Sequence, residues 1–190
     1  MASSPPHPAT PPGDHAGYMS HALQQARLSP PKPTNFRVGA VLLDADTNTI
    51  LATGYTGELP GNTHAEQCCF MKVAAQHNIP EEEIGSVLPR NTMLYTTMEP
   101  CDERLSGNRT CVERILGLDG AIKVVYVGVL EPETFIGQNR GRRKLEDKGV
   151  EAMSWVNDGS GLDRVLRHAA GLHSASGPIY PCLAVRLSNT

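Results

Sequence analysis

Apolar residues recur along this chain at two spacings, and the change from one to the other outlines the secondary structure. In "HAGYMSHALQQARLS", Met19, Ala22, Leu23 and Ala26 fall three or four residues apart, the helical period. The prolines of "SPPKPTN" cannot continue a helix and end this one. "RVGAVLLDADTNTILATGYT" runs apolar, polar, apolar, and predicts a hairpin that turns at "DADTN". "THAEQCCFMKVAAQHN" returns to the helical period, with Thr63 placed as its N-cap. A loop with two prolines leads to a short strand, "TMLYTT". After Cys111, "VERILGL" predicts a short helix, and "AIKVVYVGVL" is the clearest buried strand of the chain. "QNRGRRKLEDKG" predicts a further helix, "VEAMSWV" a final strand and "GLDRVLRHAAGLH" a last helix. The tail "SASGPIYPCLAVRL" carries no readable period.

Strands that alternate with helices predict a layered α/β domain. The first hairpin is antiparallel and the later strands follow helical crossovers. The expectation is therefore a mixed five-stranded sheet with helices on both faces. With 190 residues, the chain is expected to form one domain. A folded core of about 150 residues buries roughly 70% of its unfolded surface, enough for stability without disulfides. "MASSPPHPATPPGD" is Pro-rich and has no arginine, so residues 1–13 read as a disordered lead-in. Residues 14–172 would form the domain and 173–190 a C-terminal extension.

The net charge of −3 argues against a nucleic-acid binder, which would show a basic face. The basic run "RGRRK" at 140–144 is diluted by "LEDKGVE" and reads as a solvated helix face rather than a polyanion site. No apolar run spans a bilayer and no secretory h-region follows Met1. The five cysteines, Cys68, Cys69, Cys101, Cys111 and Cys182, are odd in number and lack the spacing of a disulfide framework. The expected compartment is reducing and cytoplasmic, where cysteines serve as metal ligands or core residues.

His64, Ala65 and Glu66 open a helix directly after a loop. Residues two apart diverge in a helix interior, but at its entrance both can face one pocket. His64, Cys101 and Cys111 are a suitable donor set for zinc, and three protein ligands leave the open fourth position of a catalytic site. Two thiolates neutralise the dication, so such a zinc acidifies water less than one held by three imidazoles. A nearby base then matters more, and Glu66 is placed to take the water proton and deliver it to ring nitrogen and leaving amine. A lone "HAE" is a weak signal. The order raises it: His-x-Glu on a helix, a strand, "EPC", then a cysteine opening another helix. Cys68, one turn after His64, could also reach the metal, although core packing is the better reading for Cys68 and Cys69.

The segments "PTNFRVGAVLLD", "GYTGELPGNTHAEQCCF", "LYTTMEPCDERLSGNRTCVERI" and "GQNRGRRKLEDKGVEA" resemble the cytidine deaminase superfamily, and within it the fungal riboflavin-pathway deaminases. The resemblance covers roughly residues 15 to 155. Its most diagnostic part is the nine-residue spacing between Cys101 and Cys111. It implies a cytidine-deaminase-like three-layer α-β-α sandwich with one Zn2+ per chain on His64, Cys101 and Cys111, and Glu66 as proton shuttle. It also implies a phosphorylated diaminopyrimidinone substrate with a ribityl chain, which loses its 2-amino group as ammonia, and Asn35 as a pyrimidine contact. Homodimers are implied by the same resemblance. Bacterial relatives often carry a fused reductase, and too little sequence follows residue 155 to build one, so a deaminase alone is expected.

The intercysteine loop then has a candidate purpose, a phosphate-binding rim. "DERLSGNRT" offers Arg104 and Arg109 as charged donors, Ser106 and Asn108 as neutral ones, and Gly107 for a tight turn. The alternative for each arginine is surface pairing with Asp102, Glu103 or Glu113. Two competing functions stay open: a deaminase of free nucleosides, nucleotides or tRNA bases, and a non-catalytic zinc-stabilised interaction module with Cys68 as fourth ligand.

Overall fold

A computed structural model describes residues 7–32, 35–130 and 140–154. Helix α1 spans His15–Leu28, and Asp14 caps it by accepting from the Gly17 N–H at 2.9 Å. Strands β1 (Gly39–Asp44) and β2 (Thr49–Tyr55) form the expected antiparallel hairpin. Helix α2 spans Ala65–His77, and Asn78 ends it in the left-handed region at φ 54°. A short 3-10 helix, Glu81–Ser86, interrupts the segment expected to be loop. Three consecutive glutamates there mask it in the sequence, since only Ile84 is buried. Strand β3 (Thr92–Met98), helix α3 (Cys111–Leu116), strand β4 (Ile122–Val129), helix α4 (Gly141–Glu146) and strand β5 (Glu151–Ser154) follow.

The sheet is mixed and five-stranded, in the order β2-β1-β3-β4-β5. β1 pairs antiparallel with β2 and β3, while β3–β4 and β4–β5 are parallel. All six residues of β1 are buried, as a central strand covered on both faces requires. The period of two divides its side chains between layers. Ala40 and Leu42 join Phe70, Val73, Ile115 and Leu145 under α2, α3 and α4. Val41 and Leu43 join Tyr18, Met19, Ala22 and Leu23 of α1, with Tyr95 and Tyr126. This is the three-layer α-β-α arrangement of the expected fold class.

Helix α2 lies unusually close to the sheet at Gly54. A Cβ there would stand 2.2 Å from the Ala65 carbonyl oxygen and 2.9 Å from the Cys68 Cβ. Glycine thus lets the first turn of α2 rest directly on β2.

One expected detail is corrected. Thr63 does not cap α2: its hydroxyl donates to the Leu59 carbonyl at 2.8 Å, and His64 occupies the cap position without a side-chain cap bond. The predicted helix over "GLDRVLRHAAGLH" and Cys182 lie outside the described residues. No helix among the described residues is long and apolar enough to cross a membrane.

Candidate active site

His64 precedes α2 with extended backbone, φ −88° and ψ 162°, whereas Glu66 belongs to the helix's first turn. This break in backbone geometry lets two residues that are two apart in sequence turn toward one point. Glu99, Pro100 and Cys101 follow β3 directly, at the carboxyl end of a strand in the parallel part of the sheet, a usual place for an α/β site. Cys111 is the first residue of α3, whose entrance is fixed by a capping box. Thr110 Oγ1 accepts from the Glu113 N–H at 3.1 Å, and the Glu113 carboxylate accepts from the Thr110 N–H at 2.8 Å.

These three entrances converge. The His64 Nδ1 lies 3.5 Å from the Cys101 Sγ and 3.5 Å from the Cys111 Sγ. Candidate ligand atoms of His64, Cys101 and Cys111 all lie within 4.8 Å of one another. A tetrahedral zinc with sulfur at about 2.3 Å and nitrogen at about 2.0 Å sets S···N separations of about 3.5 Å. The donor set fits the ion in type and in spacing. Cys68 stands apart from it: its Sγ faces the Tyr55 carbonyl at 3.5 Å, and it packs in the core with Cys69. Burial raises both thiols.

The two site cysteines behave differently. Cys111 and His64, hydrogen-bonded to its sulfur, hold the Cys101 thiol well below its ordinary value. The Cys101 sulfur and burial push Cys111 up. Zinc takes both sulfurs as thiolates, so loading the site releases the protons they carry.

Glu66 is only 3% exposed, and burial raises its carboxyl above the ordinary range. Among the described residues two side chains reach it. The Thr96 hydroxyl is 3.1 Å from Oε1, and the Cys111 Sγ is 3.4 Å from Oε2. Thr96 has no signature in the sequence beyond being a strand residue of inward parity.

A family comparison decides what this arrangement is. Residues 12–129 match the cytidine and deoxycytidylate deaminase zinc-binding region. The chain belongs to this zinc deaminase family. Its three-residue donor set is the zinc site of such a domain, and zinc is its cofactor. The chain is 36% identical over 125 residues to the diaminohydroxyphosphoribosylamino-pyrimidine deaminase of Schizosaccharomyces pombe. That match takes in 66% of this chain and 28% of the yeast protein, so the chain spans under a third of that relative's length. The fold is similar to a C-terminal deletion mutant of Aspergillus oryzae Rib2 deaminase at pH 4.6, with TM-score 0.69 and 38% identity over 83% of this chain and 98% of that one. The same Aspergillus protein in complex with DARIPP matches with TM-score 0.67 and 37% identity, over 84% of this chain and 99% of that one.

The remaining expected site residues divide. The Asn35 Nδ2 donates to the Asn62 Oδ1 at 3.2 Å, and Arg104 donates to the Asn62 carbonyl at 2.6 Å. Arg104 also reaches the Gln67 Oε1 and the Arg109 carbonyl, each at 3.4 Å. Asn35 and Arg104 thus meet on Asn62, two residues before His64. Asn62 carries no functional signal in the sequence; its left-handed φ of 53° is a backbone feature that an asparagine tolerates. Ser106, Gly107 and Asn108 form an exposed turn closed by the Gly107 N–H on the Arg104 carbonyl at 3.0 Å, with Gly107 at φ 71°. Arg109 runs the other way. It pairs with Glu82 at 3.6 Å, donates to the Glu113 carbonyl at 3.2 Å and lies against Gly117, at the end of α3 remote from Cys111. The expected acidic partners are also redistributed, since Asp102 pairs with Lys144 at 2.6 Å.

Proposed function

We propose that this chain is a hydrolytic deaminase of riboflavin biosynthesis. Its substrate would be 2,5-diamino-6-(ribitylamino)-4(3H)-pyrimidinone 5'-phosphate, its products the corresponding pyrimidinedione and ammonia. The observation that carries the reading is the buried Glu66 carboxylate, one oxygen on Thr96 and the other against the sulfur of Cys111. A site built only to hold metal gains nothing from a buried acid beside its ligands, because an unused buried carboxyl costs desolvation energy. The Aspergillus and yeast relatives support the choice of pyrimidine.

His64, Cys101 and Cys111 would hold the zinc, which would supply Lewis acidity for the attack of water. Glu66 accepts the proton of the attacking water and passes it to the ring nitrogen. A second proton, carried by the same carboxyl, leaves with the amino group as ammonia. Asn35 contacts the pyrimidine from the loop before β1. Arg104 takes the phosphate, because its planar fork donates two hydrogen bonds and its present partners are all neutral, the Asn62 and Arg109 carbonyls and the Gln67 amide oxygen. Ser106, Gly107 and Asn108 border the chain that bears the phosphate.

The test is substrate choice. Purified zinc-loaded protein is offered the ribityl pyrimidine phosphate, its ribosyl counterpart and cytidine, and ammonia release is measured. The ribityl compound should be turned over with the highest kcat/KM. Preference for cytidine would favour a nucleoside deaminase instead.

A further inference from the structure

Thr96 is a threonine where a valine would serve packing equally well. It is fully buried on β3, in the same parity as Leu94, facing the α2 layer. A buried hydroxyl costs desolvation energy relative to the isosteric methyl unless it is used. Its Oγ1 lies 2.9 Å from the Met98 carbonyl and 3.1 Å from the Glu66 Oε1. The first contact anchors the hydroxyl to the strand that leads into Cys101, and the second reaches across to α2.

The other contact of Glu66 is of a different kind. Oε2 faces the Cys111 Sγ at 3.4 Å. A metal-ligating cysteine is a thiolate and has no hydrogen to donate, so in the zinc-loaded protein that contact cannot tether the carboxylate. Thr96 is then the one side chain among the described residues that can. The hydroxyl has one hydrogen to give: it donates to Oε1 when the carboxyl is ionised, and when the carboxyl is protonated it accepts from Oε1 and donates to the Met98 carbonyl.

We propose that Thr96 is a positioning residue: it pins Oε1 of Glu66 to the sheet and so directs Oε2 at the ligand set. This rests on the reading of Glu66 as the proton carrier. Two features of the proposal are specific to the hydroxyl. It predicts an effect on turnover with little effect on substrate affinity, and it predicts that serine substitutes where valine does not.

The experiment compares wild type, Thr96→Val, Thr96→Ser and Glu66→Gln, each zinc-loaded. Thr96→Val should keep one zinc per chain and a KM within about twofold of wild type. Its kcat should fall about ten- to a hundredfold, the range of a hydrogen bond to a charged group. Thr96→Ser should recover to within about threefold of wild type. Crystals of Thr96→Val should show the Glu66 carboxylate rotated from its wild-type setting. Wild-type kcat in Thr96→Val, an unmoved carboxylate, loss of zinc by that variant, or failure of serine to restore turnover each overturns the proposal. Wild-type turnover in Glu66→Gln would instead overturn the role of Glu66, a result separate from any of these.

Discussion

The backbone N–H of Cys111 donates to the sulfur of Cys101 at 3.4 Å, across a nine-residue separation in the chain. The bond joins the first residue of α3 to the residues that follow β3. A second bond, from the Val112 N–H to the Cys101 carbonyl at 3.2 Å, reinforces it. Spacing between the cysteines therefore does not set their geometry; the capping box and these two bonds do. Lengthening a loop costs only about 0.6 kcal/mol per doubling. The loop is free to extend outward as the turn at Gly107 while both sulfurs stay on His64.

The first prediction concerns the ligand set. Cys111→Ser should lose the zinc, because a serine hydroxyl is a poor ligand for it. Cys68→Ser should retain one zinc per chain, because Cys68 faces the Tyr55 carbonyl instead. Metal analysis of the two purified variants checks both, and zinc loss from Cys68→Ser would refute the three-ligand assignment.

Glu66→Gln keeps the size and most of the polarity of the side chain but cannot carry the proton. Zinc content and fold should be unchanged. Turnover should fall at least about 100- to 10,000-fold, the usual contribution of a general acid–base, and further because one carboxyl serves several transfers. A variant with more than about a tenth of wild-type kcat would assign the proton transfers to another group.

Much of this was legible in the sequence, for a physical reason. The ligands sit at element entrances, where the helical period starts or a strand run stops, and those points are marked by apolar spacing. "AIKVVYVGVL" reads as buried because β4 is apolar on both faces, and β4 spans Ile122–Val129. Contacts set by tertiary placement were not legible. Thr96 became visible only once the parity of β3 aimed it at α2, and Asn62 only once Asn35 and Arg104 met on it. The charge and loop position of Arg109 say nothing of direction, and its guanidinium turns to Glu82 and the Glu113 carbonyl. The cap of α2 misled likewise: Thr63 has the right chemistry, but its hydroxyl is taken by Leu59.

Helix α1 should make the fold sensitive to acid. Burial holds both His15 and His21 below the ordinary value of 6.5 in the folded chain. The unfolded chain then takes up these protons at higher pH than the folded one. Their neutral forms are compatible with full stability above about 6.5, and stability falls as pH drops below it. His21→Gln, which removes one such group, should reduce the loss of Tm between pH 7.5 and 5.5. Thermal unfolding of both proteins across that range checks it, and an equally steep fall in the variant would exclude His21 as a source.

The two loop arginines should part company. Arg104 stands on Asn62, which also holds Asn35, so Arg104→Ala removes a phosphate donor and loosens a neighbour of the pyrimidine contact. A charge-assisted bond lost on binding weakens the phosphorylated substrate about ten- to a hundredfold in kcat/KM. Arg109 instead bridges Glu82 and the Glu113 carbonyl at the other end of α3, in a partly exposed pair of small energetic weight. Arg109→Ala should therefore leave kcat/KM within about twofold and lower stability by no more than about 1 kcal/mol. Zinc content should be unchanged in both variants. The dephosphorylated pyrimidine separates the two effects of Arg104: a purely phosphate-directed residue would leave its kcat/KM unaltered, whereas loosening of Asn35 would lower it as well. Measuring both substrates on wild type and the two variants makes that comparison. Equal losses from Arg104→Ala and Arg109→Ala on the phosphorylated substrate would show that the loop reorients in the bound state and that the contacts of Arg109 with Glu82 and Glu113 do not hold it there.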